Sequence, residues 1–194
     1  MRKTWVTAIV LVIVACGLSQ TAWAQSEKEK AKAQLAEMDK TMAFVKSTII
    51  PLINCYAQHQ PHLQFLDGAF PDKGREHVTA MDYCTSAYPD QLASEPKLMD
   101  LKSRASSLLK TDTDLGRQYI DAWDEYNRLA GDPSKKLKPA EQQMAATQKA
   151  KLEQMKQELY QHASQFKDIQ TEYKTFNTEF VNKYKELQLK AAGK

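Results

Sequence analysis

The sequence predicts an all-α protein, an elongated up-and-down helical bundle with long helices that pack as in a coiled coil. Apolar residues recur at alternating steps of three and four through three long segments. The 194 residues include only six glycines, whereas a β-rich fold needs many tight turns. Connections between consecutive helices make them antiparallel neighbours. Residues 25–194 suit a single domain with its own core.

The N-terminal residues 1–24 have the order of a secretory signal peptide. A basic head at residues 2–3 is followed by an apolar run over residues 5–14 and a small-x-small site at residues 22–24. The run is roughly a dozen residues, shorter than the ~20 that a membrane-spanning helix needs. We therefore expect export to the periplasm of a bacterium, with no transmembrane span in the mature chain.

Residues 13–16, Ile-Val-Ala-Cys, resemble a bacterial lipobox, which is cut before a cysteine that then carries a lipid. The first position of a lipobox is usually leucine. We expect ordinary cleavage after Ala24. The alternative is lipidation at Cys16, which would anchor the protein to the outer membrane.

The net charge argues against a nucleic-acid partner. The whole chain carries +3, and residues 1–24 contain two basic residues and no acidic one. The mature chain is therefore close to neutral, at about +1. A nucleic-acid binder needs a cationic surface that displaces counterions from phosphate, and no local run of charge supplies one.

The first predicted helix covers roughly residues 27–60. Its apolar stripe consists of Leu35, Met38, Met42, Val45, Ile49, Leu52 and Tyr56. Pro51 lies inside it, and its missing N–H predicts a kink or a restart of the helix there. A second, shorter helix over roughly residues 75–88 presents Val78, Met81, Cys84 and Tyr88 on one side, and Pro89 ends it.

The third helix keeps one heptad phase from Leu98 to Leu129, and Gly131-Asp132-Pro133 ends it. The phase does not change across residues 111–114, which favours a continuous helix over a break with a new N-cap. Asp112 occupies a core-type position of this helix. We interpret it as a locally wet core position or a helix-end cap, with a functional carboxylate as the alternative.

The fourth helix is the longest and runs from near Pro139 toward Leu189. Its apolar residues repeat at strict sevens, which predicts a left-handed supercoil. The repeat comprises Leu152, Leu159, Phe166, Tyr173, Phe180 and Leu187, and also Met155, His162, Ile169 and Phe176. The distal aromatic residues belong either to the core or to a dimer interface, and the interface candidates are Tyr173, Phe176, Phe180 and Tyr184.

Two cysteines remain after signal removal, and they are expected to form a disulfide. If the first two helices fold back about a turn near residues 69–70, Cys55 and Cys84 lie at nearly equal distances on either side of it. An exported chain enters an oxidising compartment, where such a pair forms a bond.

We expect a protein without a cofactor. The histidines offer the alternative, a protein that binds a metal or haem. His59, His62 and His77 lie close to the cysteines, so a metal site with nitrogen and sulfur ligands is conceivable, although Pro61 interrupts its geometry. The chain has no Cys-x-x-Cys-His motif, which excludes covalent c-type haem. A non-covalent haem ligated by His162 and a methionine stays open, against a core histidine bonded to a neighbour.

The short motifs of common enzymes are missing. There is no glycine-rich phosphate loop, no His-Glu-x-x-His and no Gly-x-Ser-x-Gly. We therefore expect the chain not to be an enzyme.

The signal peptide, the Cys55-Tyr56 pair, the later Cys84 and the run Tyr119-Ile120-Asp121-Ala122 resemble the YiiG-like family of helical bacterial lipoproteins. The resemblance implies a helical envelope protein and carries no known activity. The chain also resembles Spy-type periplasmic chaperones at residues 137–142, with lysine where their motif has threonine and its glutamine one position later.

These observations predict a protein-binding, scaffold or chaperone-like module of the bacterial envelope. It would act through its long last helix, by self-association or by engaging another protein. The alternative is a periplasmic carrier of a small ligand, a transition metal or haem.

Overall fold

The computed structural model describes residues 25–63, 71–87 and 95–193, apart from residues 133 and 135. All secondary structure in these ranges is helical, so the predicted all-α helical bundle is confirmed. Helix α1 covers residues 25–44, a π-helical turn spans Val45–Ile49, and α2 spans Ile50–Leu63. Helices α3, α4 and α5 span Pro71–Ala87, Pro96–Ala130 and Pro139–Ala191. The predicted signal peptide and Cys16 lie outside the described residues.

The chain divides into two compact units. The larger unit is Phe44–Lys174 and contains α2, α3, α4 and the first part of α5. The smaller unit joins the segment ending at Ala43 to Thr175–Lys194, so it pairs most of α1 with the last part of α5. The prediction of one domain over residues 25–194 is not tested by this division.

Within the larger unit, consecutive helices run in opposite directions. In each helix pair, two contacts run in opposite order along the two helices, since the later residue of one helix contacts the earlier residue of the other. The contacts are Cys55–Cys84 and His59–His77 for α2 and α3, Arg117–Asp82 and Arg75–Asp124 for α3 and α4, and Arg104–Glu172 and Asp112–His162 for α4 and α5. The up-and-down order of these four helices follows from these contacts.

The predicted heptad stripes form much of the core. On α5 the buried members are Leu152, Met155, Leu159, Phe166, Ile169, Phe176 and Leu187. The start of this helix is also as predicted, because Pro139 follows a capping bond in which the backbone N–H of Lys138 donates to Glu141 Oε2 at 2.9 Å.

Helix α4 buries a second face that the heptad stripe did not predict. Leu109, Thr113, Gly116 and Ile120 are all buried there, while the predicted Leu108 is only partly buried. A Cβ atom on Gly116 would lie 2.7 Å from Val78 Cγ2 and 3.4 Å from Leu63 Cδ1. Glycine therefore allows α4 to approach α2 and α3 closely, and the second face exists because α4 packs against three helices.

Two prolines, Pro51 and Pro61, lie within α2. Before Pro51, the Ile50 N–H donates to the Val45 carbonyl, five residues back, so a widened π-helical turn ends at Ile49 and α2 begins at Ile50. The predicted kink at Pro51 stays a prediction. The helix also continues through Pro61 to Leu63, three residues past the predicted end near residue 60. Leu63, in the last turn, is 0% exposed, and its burial offsets the hydrogen bond that Pro61 cannot donate.

Helix α3 begins at Pro71, four residues before the predicted start at Arg75. Proline is favourable in the first helical turn because its fixed φ suits the helix and its missing N–H has no partner there.

In the described part of the chain, no helix combines the length and apolar character needed to cross a membrane.

Candidate functional site

A buried polar network joins α2, α4 and α5 inside the larger unit. Asp112 is 0% exposed, and the Tyr56 hydroxyl donates to its Oδ2 at 2.6 Å. The other carboxylate oxygen, Oδ1, lies 2.5 Å from His162 Nδ1. Gln60 also bonds to Asp112, and its Nε2 donates to the Leu159 carbonyl at 2.9 Å. Asp112 is therefore not a helix-end cap, which corrects that part of the sequence-based interpretation, because it lies in the middle of α4 and side chains of α2 and α5 bond to it.

Burial dominates the electrostatics of this network. Desolvation raises the pKa of Asp112, although hydrogen bonds from Tyr56, His162 and Gln60 act in the opposite direction. Desolvation, followed by the nearby charge of Asp112, raises the pKa of the Tyr56 hydroxyl. Tyr56 therefore stays protonated and acts as the hydrogen-bond donor.

The network fixes the axial alignment of three helices. Tyr56 stacks on Phe166 of α5, with ring centroids 3.9 Å apart and planes inclined by 24°. Sliding one helix by a turn would leave Asp112 buried without donors, which is costly in an apolar interior. We therefore interpret the network as structural. Its His162 side chain is the member that solvent still reaches, with 19% exposure.

A groove lies beside the network, between α2 and α5. Its volume is about 460 Å³, and its lining includes Tyr56, Gln60, Tyr160, Phe166 and Lys167. Aromatic rings, an amide and one cation are the side chains that a small amphipathic ligand would meet there.

Cys55 and Cys84 form the predicted disulfide, which links α2 to α3. Their Cα atoms are 6.5 Å apart, and 29 residues separate them in sequence. Because both thiols are used in this bond, they are not available as metal ligands. The mixed nitrogen and sulfur site considered from the sequence is therefore not present in the oxidised protein.

The three histidines near the disulfide come together as a cluster on α2 and α3. His59 Nδ1 and His77 Nδ1 are 3.0 Å apart, and the His62 ring stacks on the His77 ring with centroids 4.0 Å apart and planes inclined by 3°. Burial, and then the neighbouring His62, lower the pKa of His59, and burial together with both other imidazoles lowers that of His77. In the described ranges, no three His, Cys, Asp or Glu side chains are arranged to hold a metal ion together.

The predicted interface residues lie along the distal part of α5. Tyr173 belongs to the larger unit, where burial raises its pKa. In the smaller unit Phe176 is buried, and its ring centroid lies 5.7 Å from that of Phe180. Phe180 and Tyr184 are only partly buried against a small cluster of α1 and α5 residues, Ala31, Met38 and Leu187. The Tyr184 hydroxyl donates to Asp39 Oδ1 of α1 at 2.8 Å.

Comparison with known proteins identifies no relative from which a function could be inferred. No protein-family model, curated protein or solved structure matches the chain. The resemblance to the YiiG-like family stays a prediction. Of the residues that suggested it, Cys55 forms the disulfide, Tyr56 belongs to the buried network, and Tyr119, Ile120 and Ala122 lie in the core.

Proposed function

We propose that this chain is an exported helical protein of the bacterial envelope that binds protein through its smaller unit. The observation that carries the proposal is the incompletely covered aromatic face there. Leu35 of α1 and Phe180 and Tyr184 of α5 remain partly exposed although they pack against the Ala31, Met38 and Leu187 cluster.

Two helices can bury only the seam between them, and apolar side chains beside the seam stay in contact with water. In the larger unit, α3 and α4 also pack against α2, so each helix has several neighbours. The smaller unit contains only two helical segments among its described residues. A further helix from a second copy or from another protein would cover the partly exposed rings and gain their burial free energy.

The compartment is part of the proposal. The Cys55–Cys84 disulfide supports an oxidising environment such as the periplasm, in agreement with the signal peptide expected at residues 1–24. Tethering to the outer membrane through a lipid on Cys16 remains the alternative location. In both cases the smaller unit would be presented to envelope proteins.

Sedimentation of purified residues 25–194 tests self-association. We expect the wild-type chain to sediment as a dimer at micromolar concentration and Phe180→Ala to sediment largely as a monomer with unchanged helical circular dichroism. Asn182→Ala is the matched control, because Asn182 is exposed and lies about 200° around the same helix from Phe180. A wild-type monomer, or equal effects of both variants, would contradict self-association through this face.

A carrier of a metal or a small ligand is the second candidate, and the histidine cluster is the observation that favours it. A metal-loaded or haem-loaded protein would show the metal in elemental analysis or an absorption band in the visible spectrum. A purified protein with neither, which also takes up neither on addition, would end this candidate.

A further inference from the structure

The structure holds a pair of imidazole nitrogens at a distance suited to a metal ion. His59 Nδ1 and His77 Nδ1 are 3.0 Å apart, on two different helices. Two bonds of about 2.05 Å from one metal ion to nitrogens this far apart enclose an angle of about 95°. That angle belongs to tetragonal or octahedral coordination and is smaller than the tetrahedral angle that structural zinc sites adopt.

We propose that His59 and His77 form a binding site for divalent copper, with water or a carboxylate in the remaining coordination positions. Square-planar and tetragonal sites with nitrogen and oxygen ligands are typical of Cu(II), which also binds such ligands most tightly among the divalent first-row metals. The site is independent of the proposed protein-binding face, so the failure of either leaves the other standing.

The two imidazoles meet at the nitrogen atoms that could bind a metal. A histidine must be neutral to offer a nitrogen lone pair to a metal. His59 Nδ1 and His77 Nδ1 share a hydrogen bond, so one of the two rings already presents a lone pair there. The hydrogen bond between them uses one proton and one lone pair. When a metal ion binds both Nδ1 atoms, the donor ring carries its proton on Nε2 instead, so both rings stay neutral.

The disulfide holds the two helices at this spacing. Cys55 lies one helical turn before His59 on α2, and Cys84 lies two turns after His77 on α3. The Cys55–Cys84 bond therefore ties both elements of the site together close to the histidines. A site prepared in this way loses less conformational entropy when the metal binds.

Solvent can reach one of the two proposed ligands, His59. An open groove of about 680 Å³ is lined by His59, Glu76, Tyr83 and Cys84, among others. Two protein nitrogens suffice when water completes the coordination, so the site needs no third protein ligand.

Titration with Cu(II) alone tests the proposal. Untagged residues 25–194, with the disulfide oxidised, should bind one Cu(II) per chain in calorimetry. The electron paramagnetic resonance spectrum should show a tetragonal centre with two nitrogen ligands. We expect His59→Asn and His77→Asn each to weaken binding at least about tenfold, and the double variant to lose the site.

His62→Asn is the matched control, because it removes an imidazole from the same cluster without removing a proposed ligand. It should weaken binding less than either ligand variant. Equal loss in all three single variants, wild-type binding in the double variant, or no binding by the wild-type chain would each overturn the proposal. The wild-type spectrum alone shows how many nitrogen ligands the copper has. The proposal can therefore be contradicted even if a variant fails to fold.

Discussion

The hydroxyl of Tyr56 is the most informative single group to remove. Tyr56→Phe deletes one oxygen and keeps the ring that stacks on Phe166. The packing of α2 against α5 is therefore preserved, while Asp112 loses the donor 2.6 Å from its Oδ2. The variant isolates the contribution of one hydrogen bond in the buried network.

The size of the effect follows from burial. Asp112 is 0% exposed, so water cannot replace the lost donor. A buried acceptor that loses its partner costs about 1–3 kcal/mol. We therefore expect Tyr56→Phe to lower the free energy of unfolding by that amount, which is a substantial part of the stability of a typical domain.

Urea unfolding at pH 7, followed by circular dichroism, measures this loss as a lower midpoint with an unchanged slope. Tyr160→Phe is the matched control, because Tyr160 is 42% exposed and its hydroxyl can bond to water. The control should change the free energy of unfolding by less than about 0.5 kcal/mol. A Tyr56→Phe variant as stable as its control would refute the view that the network contributes to stability.

Two further predictions concern the disulfide and the buried carboxyl. Replacing Cys55 and Cys84 by alanine should lower the free energy of unfolding by roughly 3.5 kcal/mol, from the 29-residue separation. Urea unfolding with and without reductant checks this, and a reductant effect that persists in the double variant would contradict it. Because burial raises the pKa of Asp112 from 3.8, the native state holds this proton more tightly than the unfolded state does. Its stabilising contribution is thus full below about pH 4 and is lost as pH rises through the raised pKa. Asp112→Asn should therefore lose less stability than the wild-type chain between pH 4 and 7, and parallel losses in urea unfolding would contradict this.

Local sequence patterns predicted the elements well, because helix formation and burial depend on spacing within one segment. The stripe on α5 from Leu152 to Leu187 is buried at most of its heptad positions. Helix α4 continues without a break across residues 111–114, as its unchanged phase predicts. The Cys55–Cys84 bond was predictable because a simple fold-back of two helices places both cysteines opposite each other.

The contacts between helices were harder to predict. Asp112, His162 and Tyr56 each occupy a core position of a different helix, and the sequence marked the first two as separate anomalies. Their pairing depends on the relative alignment of three helices, which the spacing within one helix does not determine. The sequence did contain one general signal, which is that polar residues occupy core positions of several helices. Buried polar groups need hydrogen-bond partners, so such residues are expected to bond to one another.

The second face of α4 and the uninterrupted end of α2 have a common cause. A single heptad stripe describes packing against one neighbour, whereas α4 contacts α2, α3 and α5. Gly116 is read in sequence as a weak helix former, but its function here is to admit Val78 and Leu63. The burial of Leu63 in turn favours continuation of α2 past Pro61, against the local preference of proline.

Photo-cross-linking in intact cells tests whether the smaller unit binds protein through its aromatic face. A benzophenone analogue of phenylalanine is placed at Phe180 in one strain and at the exposed Asn182 in another. We expect a discrete cross-linked product from Phe180 only, at twice the chain mass for self-association or at another fixed mass for a different partner. No product from Phe180, or the same products from both positions, would contradict it.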